Sequence, residues 1–407
     1  MITVLLAPAH FYLNDIYGSE EMIPLHFMKN AVLKNGVEFE AIANKLSLDK
    51  KIDRVNISVI GKKTEKFGLF KKGIFVFDVF LKSRKILQKR NIHIIHHMFP
   101  FGVFHTFNLL FLFNRFKRKQ YKYIIGPLMV PPSFLAADDL SIPEYHQQGI
   151  NNKIFLILSE ACLKLLQPIL RYLSLKTLEN ADVLVAISHQ AARFYADLFP
   201  QKEVVTIHMG VDTKQFSYMY RKPKKIIEVL VLNRLVKRKG TDDVIRAMAE
   251  VIRNNHNVRL RIVGDGPELN NLKKMAKDFE IVNQVVFEGY TPYSNILKFY
   301  EAADIYCIMT KDTIFCNTAF EAMSTGLPVI FTDSDGARES IEDRKSGFLV
   351  PMGDYQKCAQ VISELAESRE LRLKIGETAR SVMEEKFDWN KLACSYTEIY
   401  EKLLSNE

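Results

Sequence analysis

The sequence predicts an α/β protein made of two Rossmann-like, doubly wound domains. Three observations carry that expectation. At 407 residues the chain exceeds what one ordinary hydrophobic core organises. Its second half alternates short apolar, β-branched runs with amphipathic helical stretches, the pattern of a parallel sheet covered on both faces. Its first half repeats that alternation less regularly, and no fixed-period repeat or low-complexity tract accompanies it.

In the first half the strand-like runs are Ile2 to Ala7, Phe39 to Ala43, His93 to His96, Tyr123 to Ile125 and Asn180 to Ile187. In the second half they are Glu228 to Asn233, Val258 to Val263, Gln284 to Phe287, Ile305 to Met309, Pro328 to Phe331 and Gly347 to Val350. Helical patterns fill the gaps from Asp243 to Asn254, Glu268 to Phe279, Tyr293 to Ala302, Asn317 to Ser324 and Tyr355 to Ser368. The boundary falls near Met209-Gly-Val-Asp212, followed by an exposed linker over Tyr218 to Lys225. The expected division is 1–208, 209–385 and a C-terminal helical piece, 386–407. Two tandem doubly wound domains facing each other would place a cleft at the C-terminal ends of their strands, where ligands bind in such folds.

Composition narrows the classes. The chain is 48% hydrophobic and 25% charged, as a globular protein is. No run of about 20 residues is apolar enough to span a bilayer, and the N-terminus reads as a first strand, not a leader. The cysteines, Cys162, Cys307, Cys316, Cys358 and Cys394, contain no Cys-x-x-Cys pair, which argues against zinc and against a disulfide framework and fits a reducing cytoplasm. Residues 1–200 hold 26 Lys and Arg against 16 Asp and Glu, whereas residues 201–407 hold 30 against 31. The whole basic excess therefore sits in the first half, which suits an anionic membrane surface or phosphorylated acceptor. Nucleic acid ranks last, because no DNA- or RNA-binding motif accompanies the charge.

Three segments carry chemistry. Asn233-Arg-Leu-Val-Lys-Arg-Lys-Gly240 lies between a strand and a helix and presents Arg234 and Lys239 about a turn. Fixed cations of this kind stabilise a diphosphate leaving group as its charge grows; the competing reading is a solvated basic turn. In Ile262-Val-Gly-Asp-Gly-Pro-Glu268, Gly264 and Gly266 permit positive φ and close approach by a ligand. This is no dinucleotide fingerprint, since Leu269 replaces the third glycine. A similar turn, Phe287-Glu-Gly-Tyr290, follows the next strand.

The third segment, Lys311 to Pro328, runs loop, helix, turn and strand. Asn317 is the expected N-cap. The backbone N–H groups of Phe315, Cys316 and Asn317 would then form an anion site at the helix start. Glu321 shares the helix face of Asn317 and can accept hydrogen bonds from the vicinal hydroxyls of a ribose; the alternative is a surface carboxylate. Asp333-Ser-Asp335 has the spelling of a metal-binding Asp-x-Asp pair but occupies a turn after a strand, so no metal site is expected there.

Together these residues resemble the retaining family-4 glycosyltransferases of the GT-B fold. The resemblance covers about 205–385 and includes Gly210-Val-Asp212, Arg234, Lys239-Gly240, Gly264-Asp-Gly-Pro267, Gly289, Phe315 to Glu321, Gly326-Leu-Pro-Val329, Asp335 to Glu339 and Gly347 to Val350. It implies a metal-independent, cofactor-free hexosyltransferase acting on a UDP- or GDP-type sugar donor. By that analogy Arg234 and Lys239 hold the donor diphosphate, Glu321 the ribose, and Phe315, Cys316 and Asn317 face the sugar. Gly289 and Tyr290 would sit at the base. The C-terminal helix would cross back onto the first domain. The first acid of the family's Glu-x7-Glu pair is here Thr313, with Asp312 out of register, which leaves a non-catalytic nucleotide-sugar binder as one alternative and a GT-B isomerase or phosphorylase as another.

The first half matches more loosely. Gly18-Ser-Glu-Glu21 resembles the family's glycine loop, which meets donor and acceptor. His96 and His97 end a strand and are candidates for the acceptor side of the cleft. The aromatic and basic stretches Gly73 to Arg90 and Phe99 to Lys119 suit a helix lying on an anionic bilayer or one packed on the sheet. The implied acceptor is a growing surface glycan or its lipid-linked precursor, and the implied location the cytoplasmic face of the membrane.

Overall fold

The computed structural model describes residues 1–14, 23–47, 51–60, 69–98, 109–110, 121–129, 166, 168–169, 171–254, 257–311 and 316–405. These residues form two compact units. One holds most of the chain up to His208 together with Ala393–Glu407, and the other holds Met209–Leu392.

The first unit is built on seven strands: β1 (Ile2–Asn14), β2 (Val37–Ser47), β3 (Val55–Val59), β4 (Ile94–His97), β5 (Lys122–Leu128), β6 (Val183–Ala186) and β7 (Glu203–Thr206). They pair in parallel in the order β3-β2-β1-β4-β5-β6-β7. Helices α1 (Ile23–Asn35), α2 (Leu69–Lys89) and α3 (His189–Leu198) belong to this unit. Val4, Leu5, Leu6 and Ala7 are all fully buried, as a central strand covered on both faces requires. Phe75, Val79 and Ile86 of α2 enter the core with Leu5, Ile42, Ile95 and Tyr123. The final helix of the chain runs from Trp389 to Ser405, and its Tyr396 lies 4.8 Å, centroid to centroid, from Phe27 of α1.

The second unit has six parallel strands: β8 (Ile227–Leu232), β9 (Val258–Val263), β10 (Val285–Gly289), β11 (Ile305–Ile308), β12 (Val329–Thr332) and β13 (Phe348–Val350). Their order is β10-β9-β8-β11-β12-β13. The helices are α4 (Thr241–Arg253), α5 (Leu269–Asp278), α6 (Leu297–Ala302), α7 (Asn317–Ser324), α8 (Asp335–Ser340), α9 (Tyr355–Glu367) and α10 (Arg369–Lys386), and Trp389–Ser405 is α11. Alternate residues of the strands feed two separate cores. Val229, Val231, Ile305 and Cys307 pack with α4 and α9, while Leu230, Tyr306 and Ile308 pack with α7 and α10. This is the period-2 division of a pleated strand between two helical layers.

The parallel α/β architecture agrees with the expectation, and the two strands missing from it have a common cause. β3 and β7 are the outer strands of the first sheet, and every residue in them is exposed or half-buried. An edge strand needs no continuous apolar run, so the sequence shows none. β1 also extends past Ala7 to Asn14, with a register shift against β2 between Leu6 and His10.

Gly240 illustrates how tightly the second unit joins its loops to its strands. It has φ +62° at the entry to α4, and a Cβ there would overlap the carbonyl group of Met309. Gly240→Ala is expected to lower stability by roughly 2–4 kcal/mol, through φ strain and displaced backbone together. Urea unfolding of the wild type and variant measures this; an unchanged midpoint would show that the loop has room to relax.

Candidate functional site

In the second sheet β8 and β11 are neighbours although two other strands separate them in sequence. Strand order reverses there, which makes it the topological switch point, the usual ligand position in open α/β sheets. The loop after β8 carries Arg234 and Lys239. The loop after β11 leads into α7, which carries Glu321.

The loops after β8, β9 and β10 are tied into one platform by their backbones. The Asn233 N–H donates to the Val263 carbonyl (3.1 Å), Leu235 to Asp265 (2.9 Å), Glu268 back to Leu235 (3.1 Å), and Gly264 to Gly289 (2.9 Å). A Cβ on Gly264 would overlap the Asn233 carbonyl, and one on Gly266 that of Leu235. These two glycines are therefore required by the neighbouring loop itself, a different reason from the ligand approach expected of them. Gly289, at φ +73°, has open space around its missing Cβ, so only its backbone conformation calls for glycine. Tyr290 beside it is 60% exposed.

Arg234 is exposed and Lys239 half-buried. Lys239 ends a 3-10 turn, Lys237–Lys239, that Gly240 closes. The Arg238 carbonyl in this turn accepts from the Lys311 N–H (2.7 Å) and the Thr310 hydroxyl (3.1 Å). The basic turn is thus hydrogen-bonded to the residues that leave β11. The Lys311 ammonium is held by both Asp242 carboxylate oxygens (3.1 and 2.9 Å), with Asp243 at 3.4 Å.

α7 starts at Asn317, and its N-cap is Cys316, which makes no side-chain capping bond. This corrects the expectation that Asn317 is the cap: it is the first helical residue. The Cys316 sulfur lies 3.1 Å from the Thr318 hydroxyl. Gly18, Thr313 and Phe315 lie outside the described residues.

Glu321 is 4% exposed, so it is no surface carboxylate. Oε1 accepts from the Tyr293 hydroxyl (3.0 Å) and Oε2 from the Tyr300 hydroxyl (2.6 Å). Burial pushes its carboxyl up to about 7, and the two tyrosine hydrogen bonds oppose that rise. Tyr306 donates to the Leu232 carbonyl (3.2 Å), and its oxygen is 2.6 Å from the Thr318 hydroxyl. It thereby joins the end of β8 to the first turn of α7. Motif spacing does not reveal Tyr293, Tyr300, Tyr306 or Lys311. The available signal is that a tyrosine inside an apolar helical pattern still carries a hydroxyl that burial obliges to find a partner.

Asp333-Ser-Asp335 starts a helix. The Ser334 side chain caps α8 through the Ala337 N–H (3.3 Å), and both Asp333 oxygens are held by Arg338 at 2.7 Å.

His96 is corrected. It is fully buried in the first unit, with Nε2 3.0 Å from the Gly126 carbonyl and Nδ1 2.6 Å from the Tyr400 hydroxyl of α11. The carbonyl can only accept, so Nε2 carries the proton and Nδ1 accepts from Tyr400. Burial pulls its pKa down to about 4. With both nitrogens engaged, His96 is a structural fastener for α11 and does not serve an acceptor. His97, the other candidate, is likewise fully buried at the end of β4. On α2, Phe77 and Leu81 are exposed, as are Arg84 and Lys85. Nearly all of Phe99 to Lys119 lies outside the described residues.

Residues 212–382 match the family model of Glycosyl transferases group 1. The chain is 28% identical over 241 residues to the N-acetyl-alpha-D-glucosaminyl L-malate synthase of Bacillus anthracis, covering 56% of this chain and 62% of that protein. It is 28% identical over 243 residues to the GDP-mannose-dependent alpha-(1-6)-phosphatidylinositol monomannoside mannosyltransferase of Mycobacterium tuberculosis, covering 56% and 63%. The chain thus spans less than two thirds of the length of these curated relatives. Among solved structures it is similar to a sucrose-phosphate synthase from Thermosynechococcus elongatus, with a TM-score of 0.73 at 15% identity over 100% of both chains. It is also similar to HepE of Anabaena in complex with UDP, with a TM-score of 0.65 at 17% identity over 99% of this chain and 100% of that one. At such identities the likeness shows the fold, the GT-B pair of parallel-sheet domains.

The buried carboxyl predicts a cost in stability. Between pH 4.5 and about 7 the folded Glu321 keeps a proton that the unfolded chain has already released. Stability therefore falls as pH rises through that window, by roughly 3 kcal/mol in all. Glu321→Gln removes the titration. The melting temperature of the variant relative to wild type should be higher at pH 8 than at pH 4.5. A pH-independent difference would mean that Glu321 titrates normally.

Proposed function

We propose that this chain, whose residues 212–382 match Glycosyl transferases group 1, is a retaining glycosyltransferase of the family-4 type. It would move a hexose from a UDP- or GDP-type donor to a glycan or lipid-linked acceptor in surface polysaccharide or glycoconjugate synthesis. The observation that carries this reading is a buried carboxylate, Glu321, on the helix that follows β11, with a basic turn after the neighbouring strand β8. Burial pushes that carboxyl up to about 7 even against two hydrogen bonds that favour its charge. Such a cost is characteristic of functional sites.

The chemistry divides among this chain's own groups. Arg234 and Lys239 stabilise the charge that develops on the diphosphate as the glycosidic bond breaks. Glu321 accepts from the ribose hydroxyls. The uncapped start of α7 adds backbone N–H donors for phosphate or sugar oxygens. The donor phosphate itself takes the acceptor's proton, on the front face, so the anomeric configuration is retained and no protein base is required. No metal or cofactor takes part in this scheme: the cations are Arg and Lys, and Asp333 already holds Arg338. The mannosyltransferase named for GDP-mannose and the HepE–UDP complex support the donor class. That mannosyltransferase's phosphatidylinositol mannoside supports a lipid-linked acceptor.

The second reading, a nucleotide-sugar binder without turnover, is favoured by Thr313 at the place of the family's first acid. A panel of UDP- and GDP-sugars, assayed in excess chelator, separates the two. Release of nucleoside diphosphate is expected, with kcat for Lys239→Ala about 10²-fold lower. Binding without donor consumption would favour the second reading, and activity lost to chelator and restored by manganese would overturn metal independence.

Peripheral attachment to the cytoplasmic face of a membrane completes the proposal. No helix among the described residues is long and apolar enough to cross a membrane. Phe77 and Leu81 stand exposed beside Arg84 and Lys85 in the basic half of the chain. The protein should sediment with phosphatidylglycerol vesicles and not with phosphatidylcholine ones, and lose that binding as salt shortens the Debye length below about 8 Å. Equal binding to both vesicles would exclude the electrostatic contribution.

A further inference from the structure

The geometry points to Tyr293 and Tyr300 as positioning residues that fix the Glu321 carboxylate, each taking one lone pair on a different oxygen so that a vicinal diol meets two pre-aligned acceptors. This inference rests on the assignment of Glu321 to a ribose under Proposed function. An ionised carboxylate offers about four acceptor positions. Tyr293 occupies one on Oε1 and Tyr300 one on Oε2, which leaves one free direction on each oxygen and halts rotation about the last side-chain bond. The spacing of two carboxylate oxygens suits two adjacent hydroxyls, and a carboxylate held this way offers them nothing to accept from.

The two tyrosines are themselves anchored by different elements. Tyr300 is fully buried on α6, with its ring 5.9 Å from Phe216 and 6.2 Å from Tyr306. Its backbone carbonyl also accepts from the buried Arg221 guanidinium at 3.2 Å. Tyr293 is half-buried in the 3-10 turn Tyr293–Asn295, with its ring 6.1 Å from Phe216. Phe216 is thus a common backing wall for both rings, and both hydroxyls reach Glu321 from the same packed layer.

The arrangement also has a protonation signature. The titratable groups facing Glu321 and its partners are Tyr293 and Tyr300, Tyr306 of β11, Cys316 at the head of α7, and Asp212 before β8. The two hydroxyls favour the charged carboxylate against its burial. Removing either one therefore raises the pH at which Glu321 becomes an acceptor, and it also loosens the carboxylate plane. A tyrosine that served only packing would change stability but neither ribonucleotide affinity nor discrimination against the 2′-deoxy form.

The test is calorimetric binding of UDP and GDP, and of their 2′-deoxy forms, from pH 6 to 9. The proteins are wild type, Tyr293→Phe, Tyr300→Phe, Glu321→Gln and Glu321→Ala. Phenylalanine keeps each ring in its packing and removes only the O–H. Titration of the phosphates is common to all five and cancels against Glu321→Gln. Wild type should prefer the ribonucleotide by about tenfold or more, with affinity rising as pH passes about 7. Each Phe variant should bind the ribonucleotide about tenfold more weakly at pH 7, discriminate less against the 2′-deoxy form, and show its rise in affinity displaced to higher pH. Phe variants with wild-type affinity, discrimination and pH profile would overturn the positioning role while Glu321→Ala still loses binding. If wild type binds neither nucleotide, or Glu321→Ala binds as well as wild type, the ribose assignment fails as well.

Discussion

A buried carboxylate has to be compensated, and in the second unit that requirement organises the elements around α7. Glu321 is 4% exposed; burial pushes its carboxyl up to about 7, and the two hydroxyls that donate to it oppose that rise. Those hydroxyls come from tyrosines whose rings share Phe216 as a wall. A carboxylate in such a place is a poor choice for stability. In the proposed function it is the group that would meet the ribose.

The loops next to it show the same coupling. Arg238 offers its carbonyl to both Thr310 and Lys311, and Lys311 is clamped by Asp242 and Asp243 at the start of α4. The basic turn after β8 and the loop after β11 are therefore fixed to one another at the point where the strand order reverses. Such a switch point is the usual ligand position for topological reasons, and here these ties set which groups are held beside it. The glycine loops contribute by letting backbones lie against backbones: Gly264 and Gly266 are placed where a Cβ would meet the preceding loop's carbonyls.

The first unit solves a different problem, the attachment of the chain's last helix. His96 stands between the Gly126 carbonyl and the Tyr400 hydroxyl, and Tyr396 packs on Phe27. A neutral imidazole can donate at one nitrogen and accept at the other, so it joins a carbonyl to a hydroxyl. Burial keeps it neutral. The polar residue that looked available for chemistry in the sequence is a fastener inside the core.

What the sequence alone determined was the alternation of strand and helix, the parallel sheets it implies, the turns at Arg234 to Gly240 and Gly264 to Gly266, and the loop–helix junction before Glu321. These are local or periodic signals: a strand buried on both faces must be apolar, a turn with positive φ selects glycine, and a loop–helix junction keeps its spacing. The edge strands Val55–Val59 and Glu203–Thr206 escaped because half-exposed strands carry no such pattern. The tertiary structure alone decided that Glu321 is buried, that Tyr293 and Tyr300 hold it, and that His96 is spent on Tyr400. Each of these pairs residues 21 to 304 positions apart. Contacts at that range are set by how layers pack, and no local periodicity or motif spacing encodes which hydroxyl a buried carboxylate or imidazole will meet.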